Sequence, residues 1–215
     1  EGAATSSAVL QPKLMLSAPF WSGNWITKAQ AALDGLTGDG ALTYASSGGL
    51  WGTLGYVKNV GLGSEERISQ AKQSHPKSLD LVERVIQSTH TTVITKGANA
   101  ADPSVDGKTG FKARQHAATR DSGSDVRLTF NPDDPGMVRI QKSDGNIVKE
   151  PTPSKILLGH ELIHADRFNR GVGAFDDQGH LTNSYFEQPQ SKDRVQTTGP
   201  VPSEEIHTVG FKASS

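Results

Sequence analysis

The stretch PTPSKILLGHELIHADRFNRG, residues 151–171, combines a strong helix pattern with a dense group of reactive side chains. Thr152 is a reasonable N-cap, Pro153 suits the first helical position, and Gly171 is a natural stop. The apolar positions at helical spacing are Ile156, Leu157, Ile163 and Phe168. The stretch therefore predicts a helix that carries two histidines within the domain.

His160 and His164 stand four residues apart, so their side chains project from the same face of the predicted helix. Both imidazoles can then reach one zinc ion at about 2.0–2.1 Å. Glu161 follows the first histidine and points to the side of the metal, where its carboxylate can accept a proton from the activated water. The pattern HExxH therefore predicts a metallopeptidase. The alternative is an ordinary helix whose histidines are held by carboxylates.

A catalytic zinc site needs a third protein ligand and one open position. The chain has no cysteine, so the ligand must be a histidine or a carboxylate, and Arg170 stands where a histidine would extend the motif. Glu204 and Glu205 fall in a predicted closing helix, for which Pro202 and Ser203 are start signals. The downstream candidates are Asp176, Asp177, His180, Glu187, Glu204 and Glu205.

HELIH followed by EEIHTVG, residues 204–210, resembles the paired motifs of the clostridial neurotoxin light chains, which are zinc endopeptidases. The size of the chain and its EExxTVG segment look more like the NleD-type effector proteases, small zinc enzymes that bacteria inject into host cells by type III secretion. The resemblance covers roughly residues 154–210. His207 departs from it, since the neurotoxins usually carry arginine there.

The resemblance implies that zinc (Zn²⁺) is held by His160, His164 and Glu205, and that Glu204 orients a ligand histidine. It implies a host protein substrate, namely mitogen-activated protein kinases cut in the activation loop, and action in the host cell cytoplasm. A donor must also stabilise the oxyanion of the transition state, and the candidates are Tyr185 and His207. Each of these two has a purely structural role as its alternative.

The expected fold class is α+β, a compact zincin-like domain in which a small twisted sheet packs on the HExxH helix. Residues 1–18 look like a disordered leader, and residues 19–215 form a single metallopeptidase domain. We further predict helices near residues 26–36 and from Pro76 onward, and a β-branched strand at residues 91–97. A hairpin joins strands at 126–132 and 137–143 through the sequence DDPG.

Charge and hydropathy exclude several classes of partner. The formal net charge is −1 and no basic stripe is present, which disfavours nucleic-acid binding. No apolar run approaches the roughly 18 residues that span a bilayer. We also expect the protein to be a monomer. Two alternatives to a host-directed protease stay open: a non-catalytic binding module with a structural metal site, and an antibacterial toxin domain with the same chemistry.

Overall fold

The computed structural model describes residues 13–22, 24–46, 55–97, 101–105, 122–134, 136–141, 147–174, 183–184 and 201–202. The helices are α1 (Trp25–Thr37), α2 (Glu65–Ser74), α3 (Pro76–Ile86) and α4 (Ser154–Asn169), and a 3-10 turn covers Phe20–Ser22. The strands are β1 (Leu14–Pro19), β2 (Leu42–Ser46), β3 (Gly55–Leu62), β4 (Thr92–Lys96), β5 (Ala101–Val105), β6 (Val126–Phe130), β7 (Met137–Gln141), β8 (Ile147–Pro151), β9 (Asn183–Ser184) and β10 (Val201–Pro202).

The main sheet has six strands in the order β2-β3-β1-β4-β6-β5. Strand β4 is parallel to both β1 and β6, whereas the pairs β2–β3, β1–β3 and β5–β6 are antiparallel. Two smaller two-stranded sheets pair β7 with β8 and β9 with β10. The α+β prediction is confirmed. No helix in the described part of the chain is long and apolar enough to cross a bilayer.

Strand β1 lies in the interior of the main sheet, so the prediction of disorder is wrong for residues 14–18. Leu14 and Leu16 are 0% exposed and Ala18 is 3% exposed, whereas Met15 and Ser17 between them are half-buried. This alternation is the period of a strand with one face on the core. The period of two in LMLSAP indicates this strand, although a segment rich in serine and alanine precedes it.

The helix predictions near residues 26–36 and after Pro76 are confirmed. The chain folds as two helices, α2 and α3, on either side of His75, because Pro76 cannot donate the hydrogen bond that would continue α2. One face of α3 is buried in the core, at Leu79, Leu81, Val82, Val85 and Ile86. The strand predicted at residues 91–97 is also present, as β4.

The predicted hairpin is wrong, because its two strands belong to different sheets. Strand β6 pairs with β4 and β5, and strand β7 pairs with β8. In the segment between them, the Asn131 and Asp134 side chains accept hydrogen bonds from the backbone two residues ahead, and Gly136 has φ 57°. These bonds direct the chain out of the main sheet. No local pattern indicates strand β5, because its sequence, ADPSV, contains Asp102 and Pro103, which are both rare in strands.

Helix α4 packs against the sheet and against α1 and α3. Leu158 and Leu162 belong to the main core, while Ala165 and Phe168 pack on Val126 of β6. The prediction that Thr152 caps this helix is wrong: the helix begins at Ser154, and the Pro153 carbonyl accepts its first hydrogen bonds. The predicted stop is confirmed, since Gly171 follows the helix with φ 69°.

Candidate metal centre

Helix α4 brings its two histidines together on one face. The Nε2 atoms of His160 and His164 are 3.2 Å apart, and the ring centroids are 4.8 Å apart with an interplanar angle of 81°. Because one helical turn separates the residues, the backbone alone places the rings side by side. The two nitrogen atoms therefore converge on one point beside the helix.

This convergence fits the coordination of one metal ion. Two nitrogen ligands at about 2.0–2.1 Å from a tetrahedral zinc ion are about 3.3–3.4 Å from each other. The observed separation of 3.2 Å is close to that value. Imidazole nitrogens also suit zinc chemically, since both can present a lone pair. Both the donor atoms and their spacing thus fit a zinc-type ion.

The surroundings of the two rings differ. His164 is 2% exposed, and its ring stacks on Phe168 at 6.2 Å between centroids with an interplanar angle of 27°. His160 is half-buried, so its side of the pair is accessible from solvent. The packing on Phe168 holds the ring of His164 in the interior, while the ring of His160 lies nearer to the surface.

Glu161 completes the group. One ligand atom from each of His160, Glu161 and His164 can be chosen so that all lie within 4.8 Å of one another. The Oε2 atom of Glu161 is buried from solvent. A carboxylate in this position is near enough to exchange a proton with a molecule bound beside the two rings, through at most a small movement.

The remaining predicted site residues lie outside the described residues. They are the proposed ligand Glu205, its neighbour Glu204 and the oxyanion candidates Tyr185 and His207, together with Asp176, Asp177, His180 and Glu187. The predicted closing helix also falls there, beyond β10, which contains Pro202. The third ligand therefore stays a prediction that the sequence resemblance carries.

The C-terminal end of α4 is held by contacts that the sequence reading missed. Asp166 is 3% exposed and receives hydrogen bonds from Arg84 of α3 and from Arg170. The Asp166–Arg170 pair has the i,i+4 spacing of a helical ion pair, so the sequence itself indicates this contact. The contact with Arg84 joins residues 82 positions apart, and no local pattern announces it.

Asn169 adds a second anchor in the same turn. Its Oδ1 accepts a hydrogen bond from Thr92 Oγ1 at 3.0 Å, and its Nδ2 donates to the Ser124 carbonyl at 2.9 Å. All three residues are buried. These bonds fix the end of α4 against β4 and the segment that leads into β6, so that the histidines upstream have a rigid support.

Comparison with protein families identifies a family for this chain. The family model Peptidase_M91, described as "Effector protein", matches residues 68–214, which is more than half of the chain. The matched segment includes α4 and both glutamates at 204 and 205. No curated protein and no solved structure gives a significant match.

Proposed function

The chain belongs to the Peptidase_M91 family of effector proteins, and we propose that it is a zinc-dependent endopeptidase that cleaves a host signalling protein after type III secretion. The observation that carries the proposal is the pair of imidazole nitrogens 3.2 Å apart on α4, with Glu161 between them in sequence. The family supplies peptidase activity, and the donor set supports a metal as its cofactor.

His160 and His164 would hold the zinc ion, with Glu205 as the third ligand and Glu204 orienting a histidine, as the resemblance implies. A zinc ion held by these residues would supply Lewis-acid chemistry, because it would lower the pKa of water toward ~7 and polarise a peptide carbonyl. The packing of His164 on Phe168 restrains its ring, which supports the proposed role of His164 as a ligand.

Glu161 acts as the general base and then as the general acid. Its carboxylate takes one proton from the attacking water, whose oxygen bonds to the carbonyl carbon of the scissile peptide. When the C–N bond breaks, Glu161 passes that proton to the leaving amine, so the carboxylate returns to its initial state. The position of Glu161 next to His160 supports both proton transfers, because the same carboxylate can face the attacking water first and the leaving amine afterwards.

Tyr185 and His207 are the proposed donors to the oxyanion. A donor that acts only in the transition state lowers kcat when it is removed and leaves KM nearly unchanged. Tyr185→Phe and His207→Gln test each in turn. If a variant keeps the kcat of the unmodified chain, the substituted residue is not a donor to the oxyanion.

For the substrate, the resemblance to NleD-type proteases supports mitogen-activated protein kinases, cut in the activation loop. The test incubates the purified chain with such kinases, and mass spectrometry locates new termini. We expect cleavage within the activation loop. Cleavage of unrelated proteins at the same rate would remove the kinase assignment and leave the peptidase chemistry in place.

The decisive experiment compares the unmodified chain with Glu161→Gln and with Glu66→Gln, a matched change on the exposed face of α2. We expect one zinc ion per chain in all three by elemental analysis. Turnover should fall by about 10²–10⁴-fold in Glu161→Gln only, the usual contribution of a general base. Full activity in Glu161→Gln would overturn the mechanism, and a chain that never takes up zinc would favour the non-catalytic alternative.

A further inference from the structure

A second candidate site lies across α4 from the two histidines. It is a cavity of about 720 Å³, and its lining includes Arg84, Gln87, Ser88, Thr89, Asp166 and Arg170. None of His160, Glu161 and His164 lines it. At about 100° of rotation per residue, Asp166 lies roughly 200° around the helix from His164. The cavity is therefore separate from the candidate metal centre, although the same helix forms part of both.

The charged groups that line the cavity, among the residues that the structure describes, are two arginines and one aspartate. Arg170 donates to Asp166 Oδ2 at 2.8 Å, and Arg84 donates to the same oxygen through Nη2 at 3.2 Å and Nε at 3.3 Å. One carboxylate thus neutralises one of two guanidinium groups. Among the described residues that line the cavity, one net positive charge remains.

The two guanidinium groups are fixed in place and still accessible. Within the described part of the chain, the hydrogen bonds and ion pairs of both guanidinium groups go to Asp166, and the side chains of Arg84 and Arg170 are 51% and 53% exposed. Each guanidinium carries five N–H donors, so several remain for a ligand. Because Asp166 is buried and holds both groups, little side-chain entropy is lost when a ligand binds.

We propose that this cavity binds an acidic, carboxylate-bearing segment of the protein substrate. Guanidinium groups bind carboxylates through paired, charge-assisted hydrogen bonds. The hydroxyls of Ser88 and Thr89 and the amide of Gln87 add neutral donors around them. This inference depends on the proposed peptidase function in one respect: it takes the protein that binds in the cavity to be the substrate.

The position of the cavity defines where the acidic segment stands in the substrate. Arg170 is six residues after His164, which corresponds to about 9 Å along the helix axis. A substrate that occupies both sites must pass around the C-terminal end of α4. The acidic segment is therefore distinct from the residues that flank the cleaved bond, and it adds affinity without taking part in the chemistry.

The test measures binding rather than cleavage. The probe is a fluorescein-labelled hexaglutamate peptide, and its anisotropy is followed with the Glu161→Gln chain. We expect binding that weakens as salt increases, and a loss of about tenfold in affinity for Arg84→Gln and for Arg170→Gln, as for a hydrogen bond to a charged group. The matched control is Arg67→Gln, at an exposed residue of α2, which should leave the affinity unchanged.

A second measurement covers the case in which an arginine variant does not fold. Phenylglyoxal modifies accessible arginines, and mass spectrometry locates the modified positions in the otherwise unaltered Glu161→Gln chain. We expect hexaglutamate to protect Arg84 and Arg170, while Arg67 reacts as before. A hexaglutamine peptide should give no protection.

Several results would overturn the proposal. One is an unchanged affinity for hexaglutamate in both arginine variants, together with a lower unfolding temperature. Another is the absence of protection of Arg84 and Arg170 from phenylglyoxal. A third is that a single-stranded DNA oligonucleotide binds as tightly as hexaglutamate. The first result would mean that the arginines have a purely structural role.

The proposed function and this binding site can fail separately. If the chain binds hexaglutamate but cleaves no protein, the binding site stands and the peptidase proposal fails. If the chain cleaves protein without binding hexaglutamate, only the peptidase proposal stands.

Discussion

Gly159 lies so close to Leu36 that a Cβ at residue 159 would be 3.0 Å from Cδ2 of Leu36. The contact joins α4 to α1 at the residue just before His160. At the same interface, a Cβ at Gly35 would be 3.1 Å from Cδ of Lys155. Two glycines thus set the distance between the helices and, with it, the position of the first candidate ligand.

Gly159→Val should destabilise the protein by about 1–3 kcal/mol, because the added methyl groups overpack the interface with Leu36. We expect weaker zinc binding as well, since α4 must move and His160 moves with it. Urea unfolding with and without zinc measures both effects.

The matched change Gly159→Ala separates volume from backbone effects. Alanine gains about 0.8–1 kcal/mol of helix propensity over glycine, which offsets the small shift that Leu36 must make. We expect stability within about 1 kcal/mol of the unmodified chain. A large loss in Gly159→Ala would mean that Leu36 cannot move.

Zinc should stabilise the folded chain through His160 and His164. At a zinc concentration of a thousand times Kd, the gain is about 4 kcal/mol, and chelation should reverse it. The gain should vanish in His164→Ala and persist in His75→Ala, at a histidine between α2 and α3. Calorimetry with zinc and then with EDTA tests this. An equal gain in both variants would place the zinc elsewhere.

Gly123→Ala should be among the most destabilising single changes in the chain. Gly123 has φ 63°, and a Cβ there would be 1.9 Å from the Asn169 carbonyl oxygen and 2.7 Å from the His90 ring. Left-handed strain and overpacking together amount to about 2–5 kcal/mol. The measurement is the urea midpoint, with Gly61→Ala as a comparison within a strand. Near-normal stability would show that the end of α4 tolerates displacement.

Asp34→Asn should raise the unfolding temperature at pH 7. Burial raises the pKa of Asp34 above its usual 3.8; the Tyr44 hydrogen bond lowers it, and nearby Asp39 raises it. The folded state therefore favours the protonated carboxyl. The stability that this proton contributes is present below pH 3.8 and is lost as pH rises through the folded pKa. The advantage of Asp34→Asn should accordingly shrink as the solution is acidified.

The hydrogen bond from the Tyr44 hydroxyl to Asp34 Oδ1, 2.7 Å, remains possible in Asp34→Asn. Asp39→Asn serves as the matched control, since it removes only the smallest of the three contributions to the pKa shift of Asp34. We expect a smaller effect with the same pH dependence. A variant Asp34→Asn that is less stable at every pH would show that the charged hydrogen bond outweighs burial.

Patterns between residues close in sequence predicted most helices and the pairing of the two histidines. The period of the apolar residues located α1, α3 and α4, and the four-residue spacing of His160 and His164 placed their rings together. Strand partners were not predictable, since β6 lies between β4 and β5 in the main sheet and does not pair with β7, the next strand in the sequence. The Arg84–Asp166 contact was missed for the same reason: it exists only because α3 packs on α4.

The interior position of β1 bears on how far the catalytic unit extends. The family match begins at residue 68, within α2, yet β1, β2, β3 and α1 all precede that point. A fragment cut at residue 68 would lose half of the six-stranded sheet and would expose Leu158 and Leu162 where α1 now shields them. Such a fragment should aggregate when expressed, although it would retain every residue assigned to the chemistry.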